Sequence, residues 1–429
     1  MKETVAVAPA TGQVLPARVQ EALGHLAGCA KEGLLALSVG VGLAVLGELM
    51  AEEVEDIVGP VGRHDPARAA VRHGTSAGEV TMGGRRVPVA RPRVRAADGS
   101  GELALCVYEH FTSRDPLTGI VLERILAGGS MRSYRRQQEP VGQAVAKVSR
   151  STSKSAISRM FVERTRTAYR ELMARPLGDV RLAVMMLDGI HLGERTHVVA
   201  LGVTTEGVKI PLGLWEGSTE NTTLVRNLLA DLVTRGLDPQ QGILFVIDGG
   251  KALRRAIREV FGEAPVQRCQ RHKERNVVEH LPERDRADLM RRLRAAWADP
   301  DPMRAMAKLQ RIATQLDATY PDAARSLREG LDETLTLTRL GCHEQLRGSL
   351  QSTNPCESMI GIVRKVQRNV KHWRDGDMAL RWTAAGMLEA ERQFRRVVGY
   401  QHLAALVAGI ERERAPSTQS EEVATLVPV

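Results

Sequence analysis

Two stretches of this chain share one shape: "VMMLDGI" (184 to 190) and "LFVIDGG" (244 to 250) run apolar and then stop on an aspartate followed by glycine. A short, uniformly apolar run bounded by turn residues is the pattern of a strand buried on both faces, which requires covering helices. The flanking sequence supplies them. "THVVALGVTT" (196 to 205) and "VKIPLGLWEG" (208 to 217) read as a hairpin turning at Glu206 and Gly207. "TTLVRNLLADLVTRGL" (222 to 237) reads as an amphipathic helix closed by Gly236, and "KALRRAIREVFG" (251 to 262) as the helix after the second aspartate. Three strands, a helix, then strand and helix predict a mixed α/β sheet in which Asp188 and Asp248 each end a strand. If those strands are neighbours the carboxylates meet, and paired carboxylates repel unless a cation lies between them. Hard oxygen ligands select Mg²⁺, which completes its shell with water and substrate phosphates. Singly, each strand-end Asp-Gly is an ordinary turn former; the chemistry rests on their joint placement.

A third acid is available in "SLQSTNPCESMIGIVRKVQRNVKHWR". Thr353 or Asn354 can cap a helix, Pro355 suits its first position, and Glu357 falls in the first turn. The helix is expected to continue past Arg364, Lys365, Arg368 and Lys371, cations aligned for a phosphate backbone, with Ile360, Val363, Val366 and Val370 turned to the core. Between His272 and Ser349 the sequence is helical at period 3.6 with Pro-marked joints, and reads as an inserted all-α domain. Trp297 lies within it and is expected in its core, with stacking on a distorted DNA base as the alternative.

Sixty Lys and Arg against 51 Asp and Glu give a net charge of +9, which favours a polyanionic partner, nucleic acid first. "GGRRVPVARPRVR" (83 to 95) alternates arginine with small or apolar residues, as an extended basic ribbon would. Residues 140 to 170 read as a helix-turn-helix in which Ser and Thr cap a second helix. Lys154, Ser155, Ser158 and Arg159 near its start would face the major groove of double-stranded DNA. A basic amphipathic helix packed on its own domain is the alternative. The segment 33 to 50 is apolar, but its length, its glycines and Glu48 favour a buried or dimer-forming helix over a membrane span. No signal peptide is visible. Cys29, Cys106, Cys269, Cys342 and Cys356 are odd in number and scattered, which fits a reducing cytoplasm. The division expected is a helical region over 1–60, a basic DNA-binding region over 61–175, an α/β domain split into 176–272 and 350–400 around the insertion 273–349, and a C-terminal helix and tail over 401–429. Cys269 and His272 form half of a zinc pattern; with no second pair at standard spacing they are expected beside the acids, holding local structure or facing the substrate.

In the order "LDGIHLG", "VIDGGKALRRAI", "VQRCQRHKERNV", "STNPCESM" the chain resembles the bacterial insertion-sequence transposases of the IS256 group, relatives of the Mutator transposases. The resemblance runs from about residue 60 to 400. It implies a ribonuclease-H-like catalytic fold with an all-α insertion, preceded by a mostly α DNA-binding region. It further implies an Asp, Asp, Glu triad at Asp188, Asp248 and Glu357 holding two Mg²⁺ ions, with Mn²⁺ as substitute, and a Cys-x-x-His at Cys269 and His272. The activity implied is cleavage at terminal inverted repeats and joining to target DNA by a homodimer or larger assembly. After the glutamate the family commonly carries polar residues and an Asn where this chain has "SMIGIVRK". A DNA-binding protein that no longer cuts, and a ribonuclease-H-like nuclease without strand transfer, are the alternatives.

Overall fold

The computed structural model describes residues 34–62, 68–113, 115–117, 143–151, 154–217 and 221–414. The chain divides into two compact units, Met1–Phe161 and Val162–Val429.

In the first unit helix α1 (Leu34–Val58) buries Val39, Leu46, Met50, Val54 and Val58. They pack on a hairpin of β1 (Ala70–Met82) and β2 (Arg85–Ala96). Among the described residues no helix is long and apolar enough to cross a membrane. The hairpin turns on Gly83 and Gly84, both at positive φ as a tight two-residue turn requires, and the Asp115 carboxylate accepts both glycine N–H groups at 3.0 and 2.7 Å. Short strands β3 (Glu102–Leu103) and β4 (Arg150–Ser151) pair with β2; α2 (Cys106–Ser113) and α3 (Gln143–Val148) complete the described elements before α4 (Lys154–Ala174). Among the described residues helix still outweighs strand in this region, as expected, but the expectation did not include a sheet at its centre. An antiparallel sheet forms its centre, because alternation of small or β-branched residues with arginine has the period of a strand. The ribbon expected at 83–95 is β2 itself. Of the region read as a helix-turn-helix, α3 and α4 are described, with Arg150 and Ser151 between them added to the hairpin edge. The N-terminal residues before 34, and residues 118–142 of the basic region, lie outside the described residues.

The second unit is built on five strands: β5 (Leu182–Leu192), β6 (Arg195–Thr204), β7 (Lys209–Gly217), β8 (Leu244–Ile247) and β9 (Val266–Arg268). Their order is β7-β6-β5-β8-β9. The first three pair antiparallel, and β8 and β9 add parallel to β5 and to one another. Residues of β5 and β8 alternate between two cores. Val184, Met186, Leu244 and Val246 face α13 (Asn354–Gln367), α14 (Gly376–Gln393) and α15 (Leu403–Arg414). Met185, Leu187, Phe245 and Ile247 face α5 (Thr222–Thr234) and α6 (Lys251–Phe261). Strands covered on both faces have no polar side to show, which is why their sequence is an unbroken apolar run.

Beyond β9, helix α7 (Gln270–Val278) leads to α8 (Glu283–Trp297), α9 (Pro302–Asp317) and α10 (Pro321–Arg328), which share a core of their own from Val277 to Leu335. Trp297 is buried in it, 4% exposed, and donates its indole N–H to Thr334 Oγ1 at 3.0 Å. The chain then returns through α11 (Thr336–Arg339) and α12 (Glu344–Leu350), whose Leu337, Leu346 and Leu350 belong to the core of the sheet.

Candidate active site

Asp248 is the first residue past β8, as expected, but Asp188 does not end its strand: it pairs with Val199 of β6, and β5 runs on to Leu192 because the β5–β6 ladder continues to the turn before Arg195. The parallel register sets Val184, Met185 and Met186 against Leu244, Phe245 and Val246. Continued two residues further, it brings Asp188 alongside Asp248, on strands about 4.8 Å apart. The turn after β8 is fixed by chemistry on both sides. Asp248 Oδ1 accepts the Gly250 N–H at 2.8 Å. Gly249 adopts φ +99° beneath the Arg268 side chain, whose Nε would lie 2.1 Å from any Cβ there. A side chain there would have to displace Arg268 and hold a backbone conformation strained for any residue but glycine.

Glu357 arrives from a distant part of the chain. After β9, the Cys269 N–H continues the ladder to Ile247 O at 2.7 Å, and the Gln270 N–H bonds Gln351 O at 2.9 Å, tying the start of α7 to the residues that precede α13. Thr353 caps α13 and Pro355 occupies its opening, so Glu357 stands in the first turn as the sequence predicts. The Thr353 hydroxyl donates to Glu357 Oε1 at 3.0 Å and lies 3.4 Å from His272 Nδ1; His272 Nε2 lies 3.8 Å from the same carboxylate oxygen. Cys269, fully buried at the cap of α7, accepts at Sγ from the His272 N–H at 3.5 Å and the Thr353 N–H at 3.4 Å, with the Thr353 hydroxyl oxygen 3.6 Å away.

These groups share one electrostatic environment. Burial pushes the Asp188 carboxyl up to about 6, with the charges of Asp248 and Glu357 adding to the rise and the Gly189 N–H and His272 opposing it. His272 is raised above an ordinary imidazole by its hydrogen bond to Cys269, against the effect of burial, with the charges of Glu357 and Asp188 contributing. Burial would raise the Cys269 thiol, but hydrogen bonds from His272 and Thr353 outweigh it and hold the thiol low. A buried acid beside two further acids is a set of hard oxygen donors whose ionised form needs a cation, so the residues fit Mg²⁺ or Mn²⁺.

A stability measurement checks that environment. With its folded pKa raised from 3.8 to about 6, Asp188 binds more protons folded than unfolded across that window. The metal-free protein should therefore lose stability as pH rises from about 4 to 6. Asp188→Asn should remove this component. In chelator at neutral pH the variant should be the more stable by about 3 kcal/mol, the difference vanishing below about pH 4. A variant no more stable than the parent in thermal melts at neutral pH would mean that Asp188 is not desolvated.

Not every expected residue joins the site. Arg364 and Lys365 are exposed on α13, but the helix ends at Gln367, with Arg368 exposed at its cap, so Lys371 lies beyond it rather than on its face. The Arg368 N–H closes on Lys365 O and the Val370 N–H on Gln367 O, tightening the chain out of the helix. Ile360, Val363 and Val366 are buried as expected, Val370 partly. In α4, Ser155 and Arg159 are exposed and Ser158 is half-buried; the side chain of Lys154 lies outside the described residues. Cys342 and His343 do not complete a zinc site with Cys269 and His272: His343 caps α12 and stacks on His402, ring centroids 3.6 Å apart. Among the described residues, the potential ligand atoms that converge within 4.8 Å of one another are those of Cys269, His272 and Glu357. Sequence reasoning missed the contacts of Thr353 to His272 and Cys269, and Arg268 over Gly249. A three-residue strand such as β9 carries no periodic signal, and these contacts join residues remote in sequence.

Residues 27–397 match the family described as "Transposase, Mutator family". The chain is 28% identical over 263 residues to the transposase for insertion sequence element IS6120 of Mycolicibacterium smegmatis, covering 59% of this chain and 79% of that protein. It is 25% identical over 370 residues to the transposase for ISRM5 of Rhizobium meliloti, covering 83% and 88%. To the transposase for IS1081 of Mycobacterium tuberculosis it is 28% identical over 317 residues, 72% of each chain.

Proposed function

Because this chain belongs to the Mutator family of transposases, we propose that it recognises the terminal inverted repeats of an insertion sequence and cuts and joins DNA strands at Asp188, Asp248 and Glu357. The observation that carries this is the parallel register that brings Asp188 alongside Asp248, with Glu357 near enough to raise the Asp188 carboxyl. Three antiparallel strands continued by two parallel ones, with one acid within the central strand and the other just past its parallel neighbour, support a ribonuclease-H-like fold for the second unit. On this basis residues 61–175 bind the element's ends, 176–272 and 350–400 form the catalytic domain, 273–349 are its insertion, and the protein works on the bacterial nucleoid.

Asp188, Asp248 and Glu357 would hold two Mg²⁺ ions, which when bound activate an attacking oxygen and stabilise a leaving one in in-line phosphodiester chemistry. The chain's own residues prepare the site. The N–H groups of Gly189 and Gly250 orient the two aspartates, and the Thr353 hydroxyl fixes the rotamer of Glu357. His272, 3.8 Å from Glu357 and raised in pKa, supplies positive charge beside the scissile phosphate. Arg364 and Lys365 on α13, with Arg368 at its cap and Lys371 in the segment beyond, grip the backbone of a DNA strand. Lys154, Ser155, Ser158 and Arg159 of α4, as the second helix of a helix-turn-helix, face the terminal repeats. Holding two ends together calls for a homodimer or larger assembly on double-stranded DNA.

The test is a plasmid carrying the gene's own flanking DNA, incubated with the protein and Mg²⁺. Nicks at fixed flanking positions and joined products, both lost in Asp188→Ala, are expected. Nicks without joining would make it a nuclease, and retention of the flanks without cleavage in Mg²⁺ or Mn²⁺ a binder that no longer cuts. Arg364→Ala should weaken binding to all sequences alike and lower the slope of log affinity against log salt by about 0.9; an unchanged slope would remove Arg364 from the DNA path.

A further inference from the structure

We propose that Cys269, His272 and Glu357 form a site for a thiophilic divalent ion of the zinc class, distinct in chemistry from the Mg²⁺ site yet sharing Glu357 with it. Sequence supplies only half of such a site; the fold brings the third donor across from α13. Sγ of Cys269, a ring nitrogen of His272 and a carboxylate oxygen of Glu357 lie within 4.8 Å of one another. A sulfur, a nitrogen and an oxygen on one point suit Zn²⁺, with the fourth position open, and do not suit Mg²⁺, which takes oxygen ligands.

The surroundings of the sulfur are those of a ligand. Backbone N–H groups of His272 and Thr353 already point at Sγ, and N–H donors of this kind stabilise a metal-bound thiolate while leaving its remaining lone pairs to the ion. The Thr353 hydroxyl, 3.0 Å from the Glu357 oxygen, 3.4 Å from His272 Nδ1 and 3.6 Å from Cys269 Sγ, bridges the three donors when no ion is bound and has to rotate away for one to enter. Thiolate and carboxylate together bring two negative charges, which neutralise a divalent ion, and binding releases the thiol proton to solvent. Glu357 then has two incompatible posts. An ion held with Cys269 and His272 draws Glu357 away from Asp188 and Asp248, so zinc occupancy is an off state for Mg²⁺-dependent cleavage; that consequence rests on the triad proposed above, and the binding itself does not.

The test uses the full-length protein, stripped with chelator and titrated with Cd²⁺, whose bond to a thiolate gives an ultraviolet charge-transfer band. Cys269→Ser is the decisive variant, because a serine keeps an acceptor at the cap of α7 and circular dichroism verifies its fold. The wild type should show one equivalent of sulfur-bound cadmium that Cys269→Ser lacks and Zn²⁺ displaces, and His272→Ala or Glu357→Gln should weaken it about tenfold or more. Zn²⁺ should inhibit Mg²⁺-dependent cleavage, with Cys269→Ser needing about tenfold or more zinc for the same effect. The same band in wild type and Cys269→Ser overturns the proposal. A Cys269-dependent band indifferent to His272→Ala and Glu357→Gln also overturns it, reducing the site to a single thiol. If the band behaves as expected but Glu357→Gln still cuts DNA, the zinc site stands and the triad falls; if Glu357 is required and the band is absent, the reverse holds.

Discussion

Replacing Asp248 with asparagine is expected to lower DNA cleavage by about a thousandfold or more while leaving DNA affinity intact or raised. A catalytic metal contributes several kcal/mol to the transition state, and each 1.36 kcal/mol is tenfold in rate, so the loss of one of its ligands is felt at that scale. The substitution is structurally mild. Asparagine keeps a carbonyl oxygen for the Gly250 N–H now bonded to Asp248 Oδ1 at 2.8 Å, and nothing new is placed near Gly249. It removes one negative charge beside Asp188, whose carboxyl is pushed to about 6 chiefly by burial with Asp248 adding to the rise, and repulsion of the DNA phosphates falls with it. Single-turnover cleavage and salt-dependent binding, measured on one preparation, separate the two effects. Cleavage at the normal rate would sink the assignment of Asp248; loss of both cleavage and binding would point to a damaged fold.

The second large effect is on stability. Trp297→Ala should cost about 3–5 kcal/mol, because it removes a buried indole and leaves a cavity. That is a large part of the 5–15 kcal/mol typical of a whole protein. The position also matters to the site. Thr334 accepts the indole N–H through its hydroxyl, and its carbonyl accepts the side chains of Gln267 and Gln270, both at 2.9 Å, on either side of Cys269. A collapsed insertion core would therefore loosen the segment that positions Cys269 and His272. Urea melts should show the loss for Trp297→Ala and a cost nearer 1 kcal/mol beyond its packing change for Trp297→Phe, which forfeits the N–H bond. A Trp297→Ala protein as stable as its parent but defective in cutting would return Trp297 to contact with a DNA base.

The strands that carry Asp188 and Asp248, the hairpin at Glu206 and Gly207, the cap before Glu357 and the helical insertion were legible from the sequence. Each is a local pattern whose period or turn residue has one common structural outcome. In the N-terminal region the apolar helix and the ribbon at 83–95 were legible too, but the long partner strand β1, and so the sheet that α1 packs on, emerges only when β1 and β2 pair. The run of cations after Glu357 was read as one helical face, yet α13 stops at Gln367, and nothing in "RNVKHWR" marks that end as a glycine or proline would.

By itself the sequence determined where the apolar runs break on an acid followed by glycine; that β5 runs on past Asp188 to Leu192, while Asp248 lies just beyond β8, was decided by the pairing of β5 with β6. It also determined the chemistry of the donors, since carboxylate, imidazole and thiol are fixed by residue type. Tertiary structure alone decided which of them meet. The register of β5 on β8 pairs acids about sixty residues apart in the chain. The bond from Gln270 to Gln351 carries Glu357 to Cys269 and His272 across the whole insertion. Such meetings depend on hydrogen bonds and packing between distant segments, and a local pattern has no means of encoding the distance between residues that only folding brings together.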